Sequence, residues 1–223
     1  MAAQSNSSPQ APALAPVVAT IVVILAVRDG RLEVLLVQRS GPPEEDRWAL
    51  PGGRWDGVED LEAAATRVLE RETGVTDLYL EQLFTADSLD SNAPSLAVAY
   101  FALVEPSTVR LRTGEAWRPA WHAVGSLPDL AFRNNELIDH AVARVGAKLE
   151  YTNIAYGLLP EEFTFRDLHE TYEAIIRKPL DRRNFRKRML SMGMIEPTGG
   201  TRREGAHRPA KLYRFTSREP VFL

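Results

Sequence analysis

Apolar residues run almost unbroken from Val17 to Val27, with many β-branched side chains, and predict a buried strand. Arg28-Asp-Gly-Arg31 interrupts the run, and Leu32 to Val37 resumes it; Asp-Gly between two such runs predicts a hairpin. Ser40 to Asp46 is a Pro-containing acidic loop. Arg47 to Gly53 predicts a strand ending at a Pro-Gly-Gly turn. The period then changes: Leu61, Ala64, Ala65, Val68 and Leu69 recur at helical spacing, and Gly74 ends that helix. Leu78 to Leu83, Leu96 to Val104 and Trp117 to Val124 read as strands, and Glu136 to Leu149 as a helix with Leu137, Ile138, Ala141, Val142 and Val145 on one face. Strands mixed with helices over this stretch predict the α/β (α+β) class.

The pattern changes beyond Tyr151 to Pro160, which is read as a linker holding Gly157 and Pro160. Thr164-Phe-Arg-Asp167 predicts a capping box opening a helix to about Ile176. Lys178-Pro179 breaks that helix, and a second runs from near Asp181 to Gly193. Met194-Ile195 opens a strand, Thr198 to Pro209 is a Gly-rich basic loop, and Lys211 to Phe215 returns as a strand. Helix, turn, helix and a hairpin with a basic tip is the order of a winged helix-turn-helix. The expected organisation is a disordered tail 1–16, an α/β domain 17–150, a linker 151–160 and a DNA-binding domain 161–223.

Charge sharpens this division. The whole chain of 223 residues has a net charge of −3. From Glu161 to Leu223 there are 14 basic and 9 acidic residues, whereas the remainder has 13 basic and 21 acidic. Between Arg177 and Arg218 the balance is 13 basic to 3 acidic, which points to a polyanion partner for the C-terminal part alone. A solvated basic surface is the plainer explanation of such a cluster. The chain has no cysteine, which fits a reducing cytoplasm and leaves no disulfide or thiolate metal site. The eleven-residue apolar run Val17–Val27 is too short to cross a bilayer as a helix, so no membrane partner is expected.

Gly53, Glu59, Arg67, Leu69, Glu72, Gly74 and Val75, preceded by Trp48-Ala-Leu-Pro-Gly-Gly53, resemble the Nudix box. The resemblance implies a mixed-sheet α/β/α sandwich with a pocket for a nucleoside diphosphate linked to another group. Nudix hydrolases hold divalent cations with carboxylates at i, i+3 and i+4 of the box helix. Those positions are here Val68, Arg71 and Glu72, so two carboxylates are missing and Arg71 adds a fixed cation. Hydrolysis is expected to be weak or absent. Glu59 and Glu72 are the remnant metal ligands, magnesium is neither required nor excluded, and Arg67 is an expected ion-pair partner. A solvated helix face with ordinary salt bridges explains the same three residues equally well. Arg39, Arg47, Gly52, Gly53, Arg54 and Glu72 are the candidate ligand contacts.

On the second C-terminal helix, Phe185, Met189 and Met192 form an apolar stripe, and Arg183 and Lys187 fall on the opposite face. These two are the first candidates to enter a major groove, flanked by Arg182, Asn184, Arg186 and Arg188. Arg202, Arg203, His207 and Arg208 cluster on the expected wing. Glu161 to Glu173, Leu180 to Arg188 and Arg208-Pro-Ala-Lys-Leu-Tyr-Arg-Phe215 resemble the Nudix-related transcriptional regulators of NAD metabolism. That resemblance implies a repressor of NAD biosynthesis or salvage genes whose effector is ADP-ribose, NAD or a related dinucleotide, with no cofactor required. Many relatives carry Phe-Asp-His where this chain has Phe132-Arg-Asn134. A winged helix of this size offers little area for specific contacts, which favours a homodimer on an inverted repeat in double-stranded DNA. The sequence leaves open two alternatives, an active Nudix pyrophosphatase acting on ADP-ribose and a binding module that does not touch DNA.

Overall fold

The first strand is apolar on both faces because it lies inside a sheet that helices cover from either side. The computed structural model describes residues 17–76, 78–87, 95–114, 118–203 and 209–222. The expected disordered tail, His207 and Arg208 lie outside the described residues. In chain order the N-terminal part comprises β1 (Val17–Arg28), β2 (Arg31–Gln38), β3 (Trp48–Ala49), β4 (Gly52–Arg54), α1 (Leu61–Thr73), β5 (Tyr79–Asp87), β6 (Ser95–Leu103), β7 (Arg118–Ala123) and α2 (Asn134–Lys148). The C-terminal part comprises β8 (Phe163–Thr164), α3 (Phe165–Ile176), α4 (Arg182–Ser191), β9 (Ile195–Arg202) and β10 (Ala210–Phe215).

β1 runs parallel to β6 and antiparallel to β2, joined to the latter through Asp29 and Gly30, both at positive φ. Beyond Leu25 and Val34 the two strands part. β4 then pairs with β1, while β3 pairs with β2. The single strand expected over Arg47–Gly53 is thus two short ones, since Pro51 lies between stretches that bond to different partners. Gly52 must be glycine, because a Cβ there would stand 2.7 Å from the Thr20 carbonyl oxygen.

α1 covers one face of the sheet with Ala65, Val68 and Leu69 against Val22, Ile24 and Tyr100. The Asp60 side chain caps its start by accepting from Ala63 N–H at 2.7 Å, and Gly74 caps its end. α2 covers the opposite face with Leu137, Ile138, Ala141 and Val145, packed with Phe101 and Leu103. It starts at Asn134, two residues before the sequence pattern indicates.

Residues 151–160 do not behave as a linker. Ile154–Leu158 form a buried 3-10 helix, and Gly157 sits so close to β6 that a Cβ would meet that of Leu103 at 2.9 Å. Asn153 donates to the carbonyls of Ser217 and Glu219 and accepts from Val221 N–H, and Arg218 donates to the carbonyls of Tyr156 and Leu159. One apolar core therefore continues from the sheet through this segment into α3, α4 and β10.

In the C-terminal part the strands stand in the order β8-β10-β9. The expected capping box is present at Thr164 and Asp167. The turn into α4 is fixed from α3: Glu173 accepts from Leu180 N–H at 2.8 Å, and His169 Nε2 donates to the Leu180 carbonyl at 2.9 Å. No helix among the described residues is long and apolar enough to cross a membrane.

Glu81 on β5 gives the fold a pH dependence. Burial by itself would raise its pKa, but hydrogen bonds from Lys148, Tyr79 and Arg144 outweigh burial and hold it below the ordinary carboxylate value. A depressed folded-state pKa means that this contribution is present above the unfolded value of about 4.3 and is lost as pH falls through the folded one. Glu81→Gln is expected to lower the melting temperature at neutral pH, with the gap to wild type closing in acid. A gap unchanged between pH 7 and pH 3 in thermal melts would show that the charge on Glu81 does not stabilise the fold.

Candidate effector pocket and nucleic-acid interface

The fork between β1 and β2 opens onto a cavity of about 410 Å³. Its floor is apolar, from Ala19 and Ile21 of β1 and Leu50 beside β3, and Gly52, Gly53 and Arg54 of β4 form one side. Asn134 at the start of α2 closes another: it is buried, lines the cavity, and accepts from Leu50 N–H at 2.8 Å. Arg39 reaches the rim with its guanidinium 4.6 Å from the centre of the Phe132 ring and donates to the Pro43 carbonyl at 2.8 Å. Arg54 is exposed and makes no ion pair among the described residues. An apolar floor with two arginines and an amide at the edges suits a ligand carrying both a flat ring and anionic groups.

Of the six ligand candidates, Arg39, Gly52, Gly53 and Arg54 meet here. Arg47 does not line the cavity; its guanidinium is engaged by Asp129 and Glu44, which raise its pKa. Glu72 also lies elsewhere, fully buried beside α1's packing face. Phe132 and Asn134 line the cavity, and in the sequence they are singled out only because the Phe132-Arg-Asn134 stretch departs from relatives in its last two residues. Their spacing carries no periodic signal, and only the fold brings them to β3.

At the three box-helix positions Val68 is core, packed against the sheet. Arg71 Nε stands 2.7 Å from Glu72 Oε1, and its Nη2 reaches the Gly52 carbonyl at 3.5 Å. A buried carboxylate needs a cationic or hydrogen-bonding partner. Arg71 provides one, and a divalent ion at Glu72 would have to displace it. Glu59 accepts from Arg67 Nε at 2.9 Å, and this hydrogen bond raises the Arg67 pKa. Among the described residues no group of three His, Cys, Asp or Glu side chains is placed to hold a metal ion.

On the C-terminal part, internal bonds use up many of the basic residues. Arg186 donates to Tyr213 Oη at 2.5 Å and lies over the Phe165 and Tyr213 rings, fastening α4 to β10. Arg188 donates to the Glu150 carbonyl at 2.9 Å. Arg202 pairs with Asp167 at 2.6 Å, and Arg214 with Glu196 at 2.7 Å across the β9–β10 hairpin. Of the exposed side chains of α4, those of Arg182, Arg183, Asn184 and Lys187 carry no such internal bond among the described residues, with Phe185 and Met189 buried behind them. Arg203 and Lys211 are exposed on the wing; Lys211 is hidden in the sequence by its place inside a strand pattern. An exposed helix with uncommitted cations and an amide beside a basic hairpin can place side chains in a groove and charges against phosphates.

Residues 155–215 match the NrtR DNA-binding winged helix domain, and residues 16–141 match the NUDIX domain. The chain is 35% identical over 213 residues to the ADPR responsive transcriptional repressor NtrR of Acinetobacter baylyi, covering 93% of this chain and 85% of that protein. The crystal structure of Shewanella oneidensis NrtR complexed with a 27mer DNA matches with a TM-score of 0.80 at 32% identity, over 89% of this chain and 93% of that one. The Nudix domain of Shewanella oneidensis NrtR complexed with ADP ribose matches with a TM-score of 0.53 at 33% identity, over 63% of this chain and 94% of that one.

Proposed function

This chain belongs to the NrtR family, in which a Nudix domain is joined to a DNA-binding winged helix, and from that premise we propose that it is a transcriptional repressor of NAD biosynthesis or salvage genes that responds to ADP-ribose. The observation that carries the reading is the sorting of the C-terminal cations: once internally bonded arginines are set aside, exposed cations remain on the turn before α4 (Arg177, Lys178), on α4 itself (Arg182, Arg183, Lys187) and on the wing (Arg203, Lys211). The acidic N-terminal part supplies the cavity, whose apolar floor accepts a ring while Arg39 and Arg54 face the anionic groups. Both parts act in a homodimer, each winged helix taking one half-site of an inverted repeat one or two helical turns apart. The test is fluorescence anisotropy on the promoter regions of NAD genes, with and without ADP-ribose. Saturable binding whose affinity shifts with ADP-ribose supports the proposal, and affinity no better than for random duplex at the same salt refutes it.

The Nudix part binds without turning over. With Val68 in the core and Arg71 on Glu72, ADP-ribose and magnesium are expected to yield no AMP at ordinary enzyme rates, on the order of one turnover per second. ADP-ribose affinity by calorimetry is expected to be the same in EDTA and in magnesium, because a guanidinium already satisfies the buried carboxylate. Affinity that collapses in EDTA would return the metal to the site.

A further inference from the structure

We propose that Arg188 is a positioning residue through which the effector cavity acts on the DNA-reading helix, with α2 as the connecting rod. This rests on the reading of the chain as an ADP-ribose-responsive DNA-binding protein.

Arg188 sits on α4, one residue beyond Lys187, yet its guanidinium turns to the N-terminal part and donates to the Glu150 carbonyl at 2.9 Å. Glu150 lies two residues beyond the last residue of α2. A cation at a helix C-terminus meets both unpaired carbonyls and the negative end of the helix dipole, so this attachment is favourable in charge as well as geometry. The other end of α2 is the cavity wall. Asn134, the first residue of α2, lines the cavity, and Phe132 carries Arg39 on its ring. The 15 residues between span about 22 Å at 1.5 Å each, with Leu137, Ile138, Ala141 and Val145 packed in the core. A close-packed helix moves as a unit.

The cavity end also holds a strained element. Phe132 and Arg133 are consecutive non-glycine residues at φ 55° and 55°, in the left-handed region, immediately before α2. Such residues persist where the surroundings impose them, and they gather at ligand clamps and switches. A ligand entering the cavity meets Phe132 and Asn134 directly. Any difference in its contacts with alternative settings of this turn biases the position of α2. Glu150 carries that bias to Arg188, and Arg188 to the angle at which α4 presents Arg183 and Lys187. Arg144 and Lys148, which tie α2 to Glu81, have stems long enough to follow a shift on the order of an ångström.

The experiment compares wild type with Arg188→Gln and Arg188→Met. Operator affinity is measured by anisotropy with and without saturating ADP-ribose, and ADP-ribose affinity is measured by calorimetry with and without operator. Coupling is reciprocal, so in wild type both ratios should agree, at a value of roughly 5- to 150-fold. In the variants both ratios should fall toward one, while the affinities for ADP-ribose alone and operator alone stay within about threefold of wild type. Retained ADP-ribose affinity shows that a variant is folded. An operator affinity that drops tenfold or more with the ratio unchanged would make Arg188 a DNA contact and overturn the proposal. So would an unaltered ratio with unaltered affinities. If a variant loses ADP-ribose affinity, Asn134→Ser at the far end of α2 is tested by the same ratio, and a wild-type ratio there overturns it. Absence of ADP-ribose binding in wild type would sink the functional reading instead.

Discussion

Replacing Arg183 and Lys187 together by alanine is expected to abolish sequence-specific operator binding while leaving the fold and ADP-ribose affinity intact. Both side chains are exposed, four residues apart on one face of α4, and make no ion pair among the described residues. Their removal opens no cavity, so stability should change by no more than about 0.5 kcal/mol. The cost falls on DNA. An arginine reading a guanine edge contributes about 1–3 kcal/mol of discrimination, or roughly 5- to 150-fold. A lysine neutralising one phosphate contributes about 0.9 to the slope of log affinity against log salt. The single changes separate these roles: Arg183→Ala should relax preference at one base position, whereas Lys187→Ala and Arg203→Ala should weaken all sequences and flatten the salt slope. Anisotropy over a salt series on matched and single-mismatch duplexes measures both quantities. A folded double mutant with wild-type operator affinity would mean that this face of α4 does not meet DNA.

Phe185→Ala should have the opposite signature. Phe185 is buried between α4 and α3, its ring centroid 4.9 Å from that of Tyr172, 5.3 Å from His169 and 5.6 Å from Phe165. Truncating a buried phenylalanine costs about 3–5 kcal/mol, against a total stability of about 5–15 kcal/mol for a typical domain. The ring also backs Phe165, on which Arg186 lies, so its loss loosens the fastening of α4 to β10. Urea unfolding should show a large fall in midpoint, with DNA affinity lost for every sequence alike. ADP-ribose affinity should survive at temperatures where the N-terminal part stays folded. A wild-type midpoint would show that α4 does not depend on this core.

Much of the architecture is readable along the chain because its causes are local. β1 is announced by its apolar run and α1 by its period, with Asp60 and Gly74 at the ends. The Thr164–Asp167 box starts α3, and Asp181 caps α4 where the sequence places a helix start. In each case the interacting groups lie within about one helical turn or alternate along one strand, so residue order alone specifies them. Two boundaries misled for the same reason in reverse. Residues 151–160 look like a linker by composition, but Asn153 and Tyr156 are claimed by the C-terminal segment from Ser217 to Val221. The start of α2 at Asn134 is set by its bond to Leu50.

What the residues determine by themselves is therefore the order of the elements, the division into an acidic sensing part and a basic DNA-reading part, and the loss of carboxylates at Val68 and Arg71. What only the tertiary structure decided is which charges remain available. In sequence, Arg183 and Lys187 stand opposite the apolar stripe, but Arg186 and Arg188 beside them are read as DNA contacts too. Folding gives Arg186 a tyrosine 27 residues away and Arg188 a carbonyl 38 residues away, whereas Arg183 and Lys187 are exposed and carry no such internal bond among the described residues. The physical reason is reach. A helix face and a charge imbalance are sums over neighbours in sequence, whereas a guanidinium's partner is whatever acceptor the packing of distant elements brings within about 3 Å.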